Sequence, residues 1–291
     1  MVALGNFQRF YNSQNSQNNQ MITYDTFTDT GSLALSRPNT TKIYEAFNLK
    51  GFSWRKSYIQ SIFQKAYANR NKADYFVFLL QEEIYLPSQS SGWQHIPNDY
   101  KKDKTYTIEG STIHTDRGEV HYLNDLLRAW HKFIYNLKDS KGNIMKKKVA
   151  IIGCPRGYYP VPKTIFEQLY HTDNLKYIAK EYDMVYLYRY PSTGNSLKTG
   201  YRAKELINYW RNSLKFKGKI NYVVDTYFGG TVGSTDYNTI LNDFTDASNS
   251  GAHVISAYPF SYIKDQSTYN KGAPRLIQLY NDYNKNKQNG W

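Results

Sequence analysis

The sequence contains very little cysteine, with Cys154 alone among its 291 residues. A single cysteine excludes an intrachain disulfide, and it therefore gives no information about the redox compartment. A catalytic thiolate needs a histidine within reach, and no local sequence pattern supplies one. We therefore expect Cys154 to be a packing residue at the end of a strand.

Several other features are missing. No run of 18 or more apolar residues occurs, so we expect no membrane span. The residues after Val2–Asn6 are polar, which is not typical of a signal peptide. The chain has no GxxxxGK[ST] or GxGxxG motif, no HExxH motif and no paired cysteines, and the glycine-rich stretch 229–233 follows neither glycine pattern. The sequence therefore predicts no cofactor and no metal.

Positive charge and aromatic residues, by contrast, are abundant. The chain has 37 Lys and Arg against 24 Asp and Glu, a net charge of +13, and it contains 29 Tyr and 5 Trp. This charge favours acidic partners, whether nucleic acid, anionic polysaccharide or an anionic membrane surface. The basic runs at 101–102 and 146–148 are short and are typical of solvated faces, so we expect no nucleic-acid partner. Tyrosine suits stacking on sugar rings, although an AT-rich codon bias explains the excess equally well.

Four short apolar runs recur at nearly regular intervals in the second half of the chain. They are VAIIGC, MVYLYRY, INYVVDT and AHVISAY, and they begin at 149, 184, 220 and 252. Amphipathic segments at 163–181, 201–216 and 237–250 separate them, as parallel strands joined by helical crossovers require. Continuous apolar runs are typical of strands that are covered on both faces. The pattern predicts an α/β fold with a parallel sheet.

The first half of the chain predicts further elements of the same kind. Strands are expected at 21–27 and 75–81, two helices within 41–70, a strong amphipathic helix at 122–137, and a last helix at 273–283. Six strands are thus identified. A (β/α)8 TIM-like barrel needs eight, so the run SLALS at 32–36 and part of a long loop excursion at 86–121 are expected to supply two. An open, doubly wound sheet is the alternative.

The predicted domain organisation is simple. Residues 1–20 are polar and repetitive and are expected to form a flexible arm, residues 21–283 a single barrel domain, and residues 284–291 a polar tail. The excursion has few periodic apolar residues, and long loops of this kind are often functional. Within it, TYTIEG and STIHTD are typical of a small hairpin. Its candidate ligand-binding side chains are Trp93, His95, Glu109, His114 and His121.

Carboxylates follow two of the predicted strands directly. Glu82 and Glu83 come after YFVFLLQ, and Asp225 comes after YVV. Because the carboxyl ends of parallel strands meet at one edge, these side chains could face one another there, where paired carboxylates can cleave a glycosidic bond. Strand alternation directs only one of Glu82 and Glu83 toward such a site. Structural ion pairs for the glutamates and a turn role for Asp225 remain alternatives.

Arginines and aromatic residues surround the same predicted edge. Arg156 and Arg189 could bind acidic groups of a substrate in bidentate fashion, and structural pairing with Glu82, Glu83 or Asp225 is the alternative. Aromatic side chains could stack on sugars, although each aromatic residue is more often a core or surface residue. The predicted substrate-binding residues are Asp25, Trp93, Arg156, Tyr158, Arg189, Tyr190, Tyr227 and Tyr258.

The runs FVFLLQEE, YLNDLLRAWHKFI, KVAIIGCPRG, YVVDTYFGG and HVISAYPF, in this order, resemble the α/β-barrel glycoside hydrolases and their cell-surface relatives. The resemblance implies a hydrolase acting on an acidic or cell-wall polysaccharide outside the cell or at its surface. Glu82 or Glu83 would be the acid/base and Asp225 its partner. A non-catalytic glycan-binding or adhesion protein on the same scaffold is the alternative. The sugar, the linkage, the stereochemical course and the oligomeric state stay open.

Overall fold

Seven parallel strands form the central sheet of the protein. The computed structural model describes residues 24–27, 41–48, 56–79, 104–117, 119–152, 172–189, 203–225 and 237–258. The sheet strands are β1 (Tyr24–Phe27), β2 (Thr41–Asn48), β3 (Tyr75–Leu79), β6 (Lys148–Ile152), β7 (Met184–Arg189), β8 (Lys219–Asp225) and β9 (Val254–Tyr258), and a separate hairpin contains β4 (Thr105–Ile108) and β5 (Ser111–His114). The helices are α1 (Lys56–Ala68), α2 (Glu119–Tyr135), α3 (Thr172–Glu181), α4 (Ala203–Asn208), which continues into a π-helical turn (Tyr209–Ser213), and α5 (Tyr237–Asn249).

The strand order distinguishes the two architectures that the sequence allowed. The order in the sheet is β1-β2-β3-β6-β7-β8-β9, so each strand pairs in parallel with the next sheet strand along the chain. A doubly wound sheet reverses this order at one point and places helices on both faces. Right-handed crossovers in unbroken order instead place every helix on one face. The protein is therefore α/β with a curled parallel sheet, a half-barrel of the TIM type, as the sequence predicts.

Both faces of this sheet are buried. Phe78 of β3 packs edge-on against Trp130 of α2 with 6.4 Å between ring centroids, so the face that carries Phe78 is the one the helices cover. The alternate residues Val77, Ala150 and Met184 lie side by side on the opposite face and are fully buried as well. Because the crossovers place the helices on the first face, the sheet must curl around the second. This explains why the strands are apolar at nearly every position.

Residues 41–48 correct the prediction of two helices within 41–70. They form strand β2, with a bulge between Glu45 and Phe47, and the second predicted helix is present as α1. Ile43 and Phe47 are four residues apart, which suits a helix, but the adjacent residues Ile43 and Tyr44 are both buried. A strand covered on both faces produces the same short apolar pattern, and periodicity alone cannot separate the two.

The excursion also differs from its prediction. It forms the predicted hairpin, β4–β5, but this hairpin makes its own two-stranded sheet instead of adding a strand to the main sheet, whose seventh strand is β2. The hairpin turns at Glu109 and Gly110, whose φ values of 46° and 72° match a type I′ turn. Helix α2 begins at Glu119, three residues before its predicted start. The run at 32–36 and the predicted helix at 273–283 lie outside the described residues.

The residue that precedes a strand repeatedly binds the neighbouring strand. The Asp74 carboxylate, just before β3, accepts the Lys42 N–H of β2 at 2.7 Å. The Asp183 carboxylate, just before β7, accepts the Val149 N–H of β6 at 2.9 Å. His253, just before β9, lies with Nδ1 3.5 Å from the Ile220 nitrogen of β8. These polar side chains satisfy backbone donors at the amino edge of the sheet, which would otherwise be exposed.

Helices α2 and α3 pack through a cluster of aromatic rings around His131. Its Nδ1 lies 2.8 Å from the Tyr177 hydroxyl, and its ring stacks on Tyr182 with 5.9 Å between centroids. The Tyr135 hydroxyl donates to the Asp183 carboxylate at 2.9 Å, which links this cluster to the amino edge. Burial lowers the pKa of His131, although the charges of Glu181 and Asp183 oppose the shift.

Arg211 of the π-helical turn holds the loop before β8. Its Nη1 donates to the carbonyl oxygens of Phe216 at 2.6 Å and Gly218 at 2.8 Å, and its Nη2 lies 3.1 Å from His253 Nδ1. A Cβ atom on Gly218 would lie 2.5 Å from the Asp183 carbonyl oxygen and 2.7 Å from a ring carbon of Phe216. Only glycine fits there, because the opposing group is backbone and cannot move aside.

We predict that Gly218→Ala destabilises the protein by about 2 kcal/mol, the usual cost of overpacking a close contact. Urea unfolding followed by circular dichroism measures the effect. Lys217→Ala, at the exposed neighbouring position, is the control and should change the free energy of unfolding by less than about 0.5 kcal/mol. Equal stability of the two variants would contradict the packing described for Gly218.

We also predict that the protein loses stability as the pH falls through about 6.5. Burial lowers the pKa of both His131 and His253, and the charges of Arg211 and Lys219 lower that of His253 further. The unfolded chain, in which histidine has its ordinary pKa near 6.5, then binds more protons than the folded protein, so protonation favours unfolding. The stabilisation from neutral histidine is complete above this pH and is lost below it.

Urea unfolding at about pH 7.5 and about pH 5.5 measures this effect, in a window above the usual carboxylate pKa values. The natural protein should lose more stability between these pH values than the double variant His131→Gln/His253→Gln. The same loss in both proteins would show that these two histidines are not responsible.

Candidate active site at the carboxyl edge of the sheet

The carboxyl edge is where the predicted site residues were expected to meet. Strands β7, β8 and β9 end at Arg189, Asp225 and Tyr258, so three of these residues are the last residues of adjacent strands. The backbone of Asp25 is also described. The remaining predicted residues, Glu82, Glu83, Trp93, Arg156, Tyr158, Tyr190 and Tyr227, lie outside the described residues.

Asp225 and Tyr258 are direct register partners at the ends of β8 and β9. Asp225 is four residues after Asn221, an even interval along an extended strand, so both positions belong to the same face. That face is the one turned away from the helices, because Asn221 shares its register row with Tyr186, two residues after Met184. The structure thus places the Asp225 and Tyr258 positions together, at the rim of the face around which the sheet curls.

Arg189 and Asp25 occupy different positions. Arg189 is an even interval from Val185, whose register partner Ile151 lies in the helix-facing row of Phe78. Asp25 pairs with Lys42, the second residue of β2, next to the amino-edge hydrogen bond of Asp74. The structure therefore places Arg189 at the carboxyl edge on the helix-facing row, and it places Asp25 toward the opposite edge from Asp225.

Two buried polar residues lie on the enclosed face beneath this rim. Tyr186 of β7 and Asn221 of β8 are register partners and are 1% and 2% exposed. A phenol and a carboxamide are uncommon inside an otherwise apolar layer. Sequence reasoning did not select either residue. The signal was present, since Asn221 is the only polar residue between Ile220 and Val224 in an apolar strand.

A histidine–aspartate pair anchors the hairpin to helix α2. His114 Nδ1 lies 2.8 Å from Asp125 Oδ2, which also accepts the His114 backbone N–H at 2.9 Å. Both side chains are about one quarter exposed. A carboxylate at Nδ1 fixes the proton there, and it leaves Nε2 as a proton acceptor, the arrangement of an oriented general base.

The hairpin lies on the same side of the molecule as the carboxyl edge. Helix α2 follows the excursion that leaves β3, so its first turns lie near the carboxyl ends of the strands. The Tyr106 and Tyr122 hydroxyls, 2.5 Å apart, tie β4 to these turns, and burial raises the pKa of Tyr106. The sequence drew attention to His114 within the excursion, but it gave no signal for Asp125, which lies on the predicted helix.

Among the residues that the structure describes, no group of three or more His, Cys, Asp or Glu side chains could hold a metal ion. Within those same ranges, no helix is both long enough and apolar enough to cross a bilayer.

We predict that neutral His114 carries its proton on Nδ1 and that Asp125→Ala shifts the proton to Nε2. The carboxylate holds the first tautomer, and free imidazole in water favours the second. Nitrogen chemical shifts of the imidazole ring, measured by NMR at about pH 8, distinguish the two tautomers. Asp116→Ala, an exposed aspartate two residues after His114, is the matched control and should leave the tautomer unchanged. If His114 has the same tautomer with and without Asp125, the assigned pairing is wrong.

Comparison with known proteins gives structural similarity but no sequence match. No protein-family model matches the chain, and no curated protein sequence is similar to it. In structure, the chain is distantly similar to the glycoside hydrolase domain of PgaB (BpsB) from Bordetella bronchiseptica. The TM-score is 0.44 at 12% sequence identity, and the similarity covers 87% of this chain and 79% of that one.

Proposed function

We propose that the protein is a glycosidase that cleaves an acidic or cell-wall polysaccharide at the carboxyl edge of its half-barrel. The observation that carries the proposal is the pairing of Asp225 with Tyr258 at the ends of β8 and β9. A carboxylate and a tyrosine at adjacent strand ends, on the face that the sheet encloses, are suited to acid–base chemistry beside a stacked sugar ring. A polysaccharide of this kind implies that the protein works outside the cell or at its surface.

The chemistry needs a second carboxylate, and we assign it to Glu82 or Glu83. Both follow β3, which is separated from β8 by the two strands β6 and β7. Adjacent strands lie about 4.8 Å apart, so three steps span about 14 Å along the sheet. Curling shortens the direct distance across the enclosed face, and both side chains would then reach the same glycosidic bond.

The two carboxylates have different roles in this proposal. The glutamate follows a buried apolar strand, and a desolvated carboxyl group stays protonated to higher pH, as a general acid must. Asp225 would remain ionised and would either attack the anomeric carbon or activate a water molecule. A separation of about 5 to 5.5 Å would give retention of configuration, and about 6.5 to 9.5 Å would give inversion.

Substrate binding would depend on arginines and aromatic side chains near the same edge. Arg156 follows β6 and would bind an acidic group of the substrate in bidentate fashion. Arg189 would have to extend past the end of β7, because its position lies on the helix-facing row. Trp93, Tyr158, Tyr190, Tyr227 and Tyr258 would provide surfaces for stacking on sugar rings.

We predict that Asp225→Asn and one of Glu82→Gln and Glu83→Gln lower turnover by at least about 100-fold without unfolding the protein, since each removes a group that acts on the transition state. Release of reducing ends from acidic and cell-wall polysaccharides measures turnover, and circular dichroism confirms folding. Asp246→Asn, near the end of helix α5, is the control and should retain full activity.

Full activity in all three carboxylate variants would show that the assignment is wrong. Retention of the natural protein on a glycan array without release of reducing ends would instead support a glycan-binding protein that lacks catalysis.

A further inference from the structure

The amino edge of the sheet carries a concentrated positive charge. We define the amino-edge surface as the loops that lead into the strands, residues 69–74, 136–148, 182–184, 214–219 and 250–254. The first, second and fourth of these loops contain two, five and three Lys or Arg residues, and the surface contains three Asp. Its net charge is therefore +7, more than half of the +13 of the whole chain, in 33 of 291 residues.

The three aspartates of this surface are hydrogen-bonded to the protein itself. Asp74 and Asp183 accept the backbone N–H groups of Lys42 and Val149. Asp139 accepts the backbone N–H groups of Lys141 at 2.8 Å and Asn143 at 2.9 Å within its own loop. These carboxylates are directed at backbone donors, so the lysine side chains around them face solvent. Seven of those lysines are exposed.

The loops of the surface are tied to one another. Arg70 Nε donates to the Lys138 carbonyl oxygen at 3.0 Å, and Lys147 Nζ donates to the Ala73 carbonyl oxygen at 2.6 Å. The loop 136–148 is closed by the hydrogen bond from Met145 N to Leu137 O at 2.9 Å. Because the loops are already held in place, binding of a ligand would cost little conformational entropy of the loops.

Two lysines of the surface have a backbone conformation that is unfavourable for lysine. Lys146 and Lys215 have φ values of 51° and 58°, in the left-handed region that glycine and asparagine occupy more readily. A non-glycine residue there costs roughly 1 kcal/mol per residue. Lysine occupies both positions despite this cost, as it does at Lys104 outside the surface, where φ is 49°.

The residue types of the surface indicate the class of ligand. Arg70, in the first loop, and Arg211, just before the fourth, both donate to backbone carbonyl groups. The positive charges that face outward are therefore those of lysine. The loop aromatics Tyr182 and Phe216 are buried. The exposed rings beside the loops, Tyr67 and Tyr135, already pack against Arg70 and His131, so they are poorly placed to stack on a nucleic acid base. Within the described loops of this surface, Ile144 is the one large apolar side chain that is exposed, at 54%. One such side chain is too little apolar surface to insert into a membrane. Flexible ammonium groups without aromatic platforms suit a polymer with regularly spaced anionic groups.

We propose that the amino-edge surface binds an anionic polysaccharide, at the pole of the sheet opposite the carboxyl edge. The charged groups of the polymer would contact lysines of the loops 69–74, 136–148 and 214–219 without reading its sequence. This second surface does not depend on the proposed glycosidase activity, since it lies at the other edge and performs no chemistry. It would hold the protein on a charged matrix or polymer while the carboxyl edge stays accessible.

The test compares two variants with the same net charge. One replaces four exposed lysines of the surface, Lys72, Lys141, Lys146 and Lys217, with glutamine. The control replaces four exposed lysines elsewhere, Lys56, Lys104, Lys176 and Lys204, with glutamine. Binding to polygalacturonate and to heparin is measured by titration calorimetry at several salt concentrations, in the full chain, with uncharged dextran as the negative ligand.

We expect the natural protein and the control to bind both anionic polymers with affinity that falls steeply with salt, and we expect the surface variant to bind at least about tenfold more weakly with a smaller salt slope. Equal affinity of the two variants would overturn the proposal. So would tighter binding of duplex DNA, or of vesicles that contain anionic lipid, through the same four lysines. Loss of glycosidase activity in Asp225→Asn with polymer binding unchanged would separate this surface from the proposed active site.

Discussion

The inner strands of the sheet have two apolar faces, and both must be kept from water. The helices α1 to α5 can cover one face only, because the strands follow one another in unbroken order with crossovers of one hand. The face that carries Val77, Ala150 and Met184 is nonetheless buried. The sheet can satisfy this constraint by curling on itself. The barrel-like shape is therefore a consequence of strand order and composition together.

The curled sheet gives the protein two edges with different properties. At the amino edge, polar side chains just before the strands bind backbone N–H groups of the neighbouring strands. Asp74 and Asp183 are two of these residues. Because these hydrogen bonds stabilise this end of the sheet, the loops here can carry lysine at their exposed positions. At the carboxyl edge, the strands end in residues such as Asp225 and Tyr258. One edge thus maintains the fold while the other is available for chemistry.

Much of the fold could be predicted from the sequence, and the exceptions have physical reasons. The four runs from 149 onward are short, regularly spaced and apolar at successive positions, which is typical of parallel strands covered on both faces. Strand β2 was taken for a helix because a short run with Ile43 and Phe47 satisfies both periodicities. The hairpin β4–β5 was predicted, but its separation from the main sheet depends on tertiary packing against α2. A local sequence pattern does not show such packing.

The candidate site was less accessible to sequence reasoning than the fold. A carboxylate after a buried strand, such as Asp225, can be recognised because strand ends are marked in the sequence. The face and the edge at which a strand residue lies depend on register. Register places Arg189 on the opposite face from Asp225, and it places Asp25 toward the opposite edge. His114 in the hairpin and Asp125 in helix α2 are 11 residues apart in the sequence, and only the folded chain brings their side chains together.

The most direct test of the account is the crystal structure of the protein in complex with an acidic oligosaccharide. The account predicts a sugar seated at the carboxyl edge, against Tyr258, with Asp225 and one of Glu82 and Glu83 on either side of a glycosidic bond and their carboxyl groups less than about 10 Å apart. A sugar bound elsewhere with no contact to that edge, or carboxyl groups on opposite faces of the sheet, would contradict it.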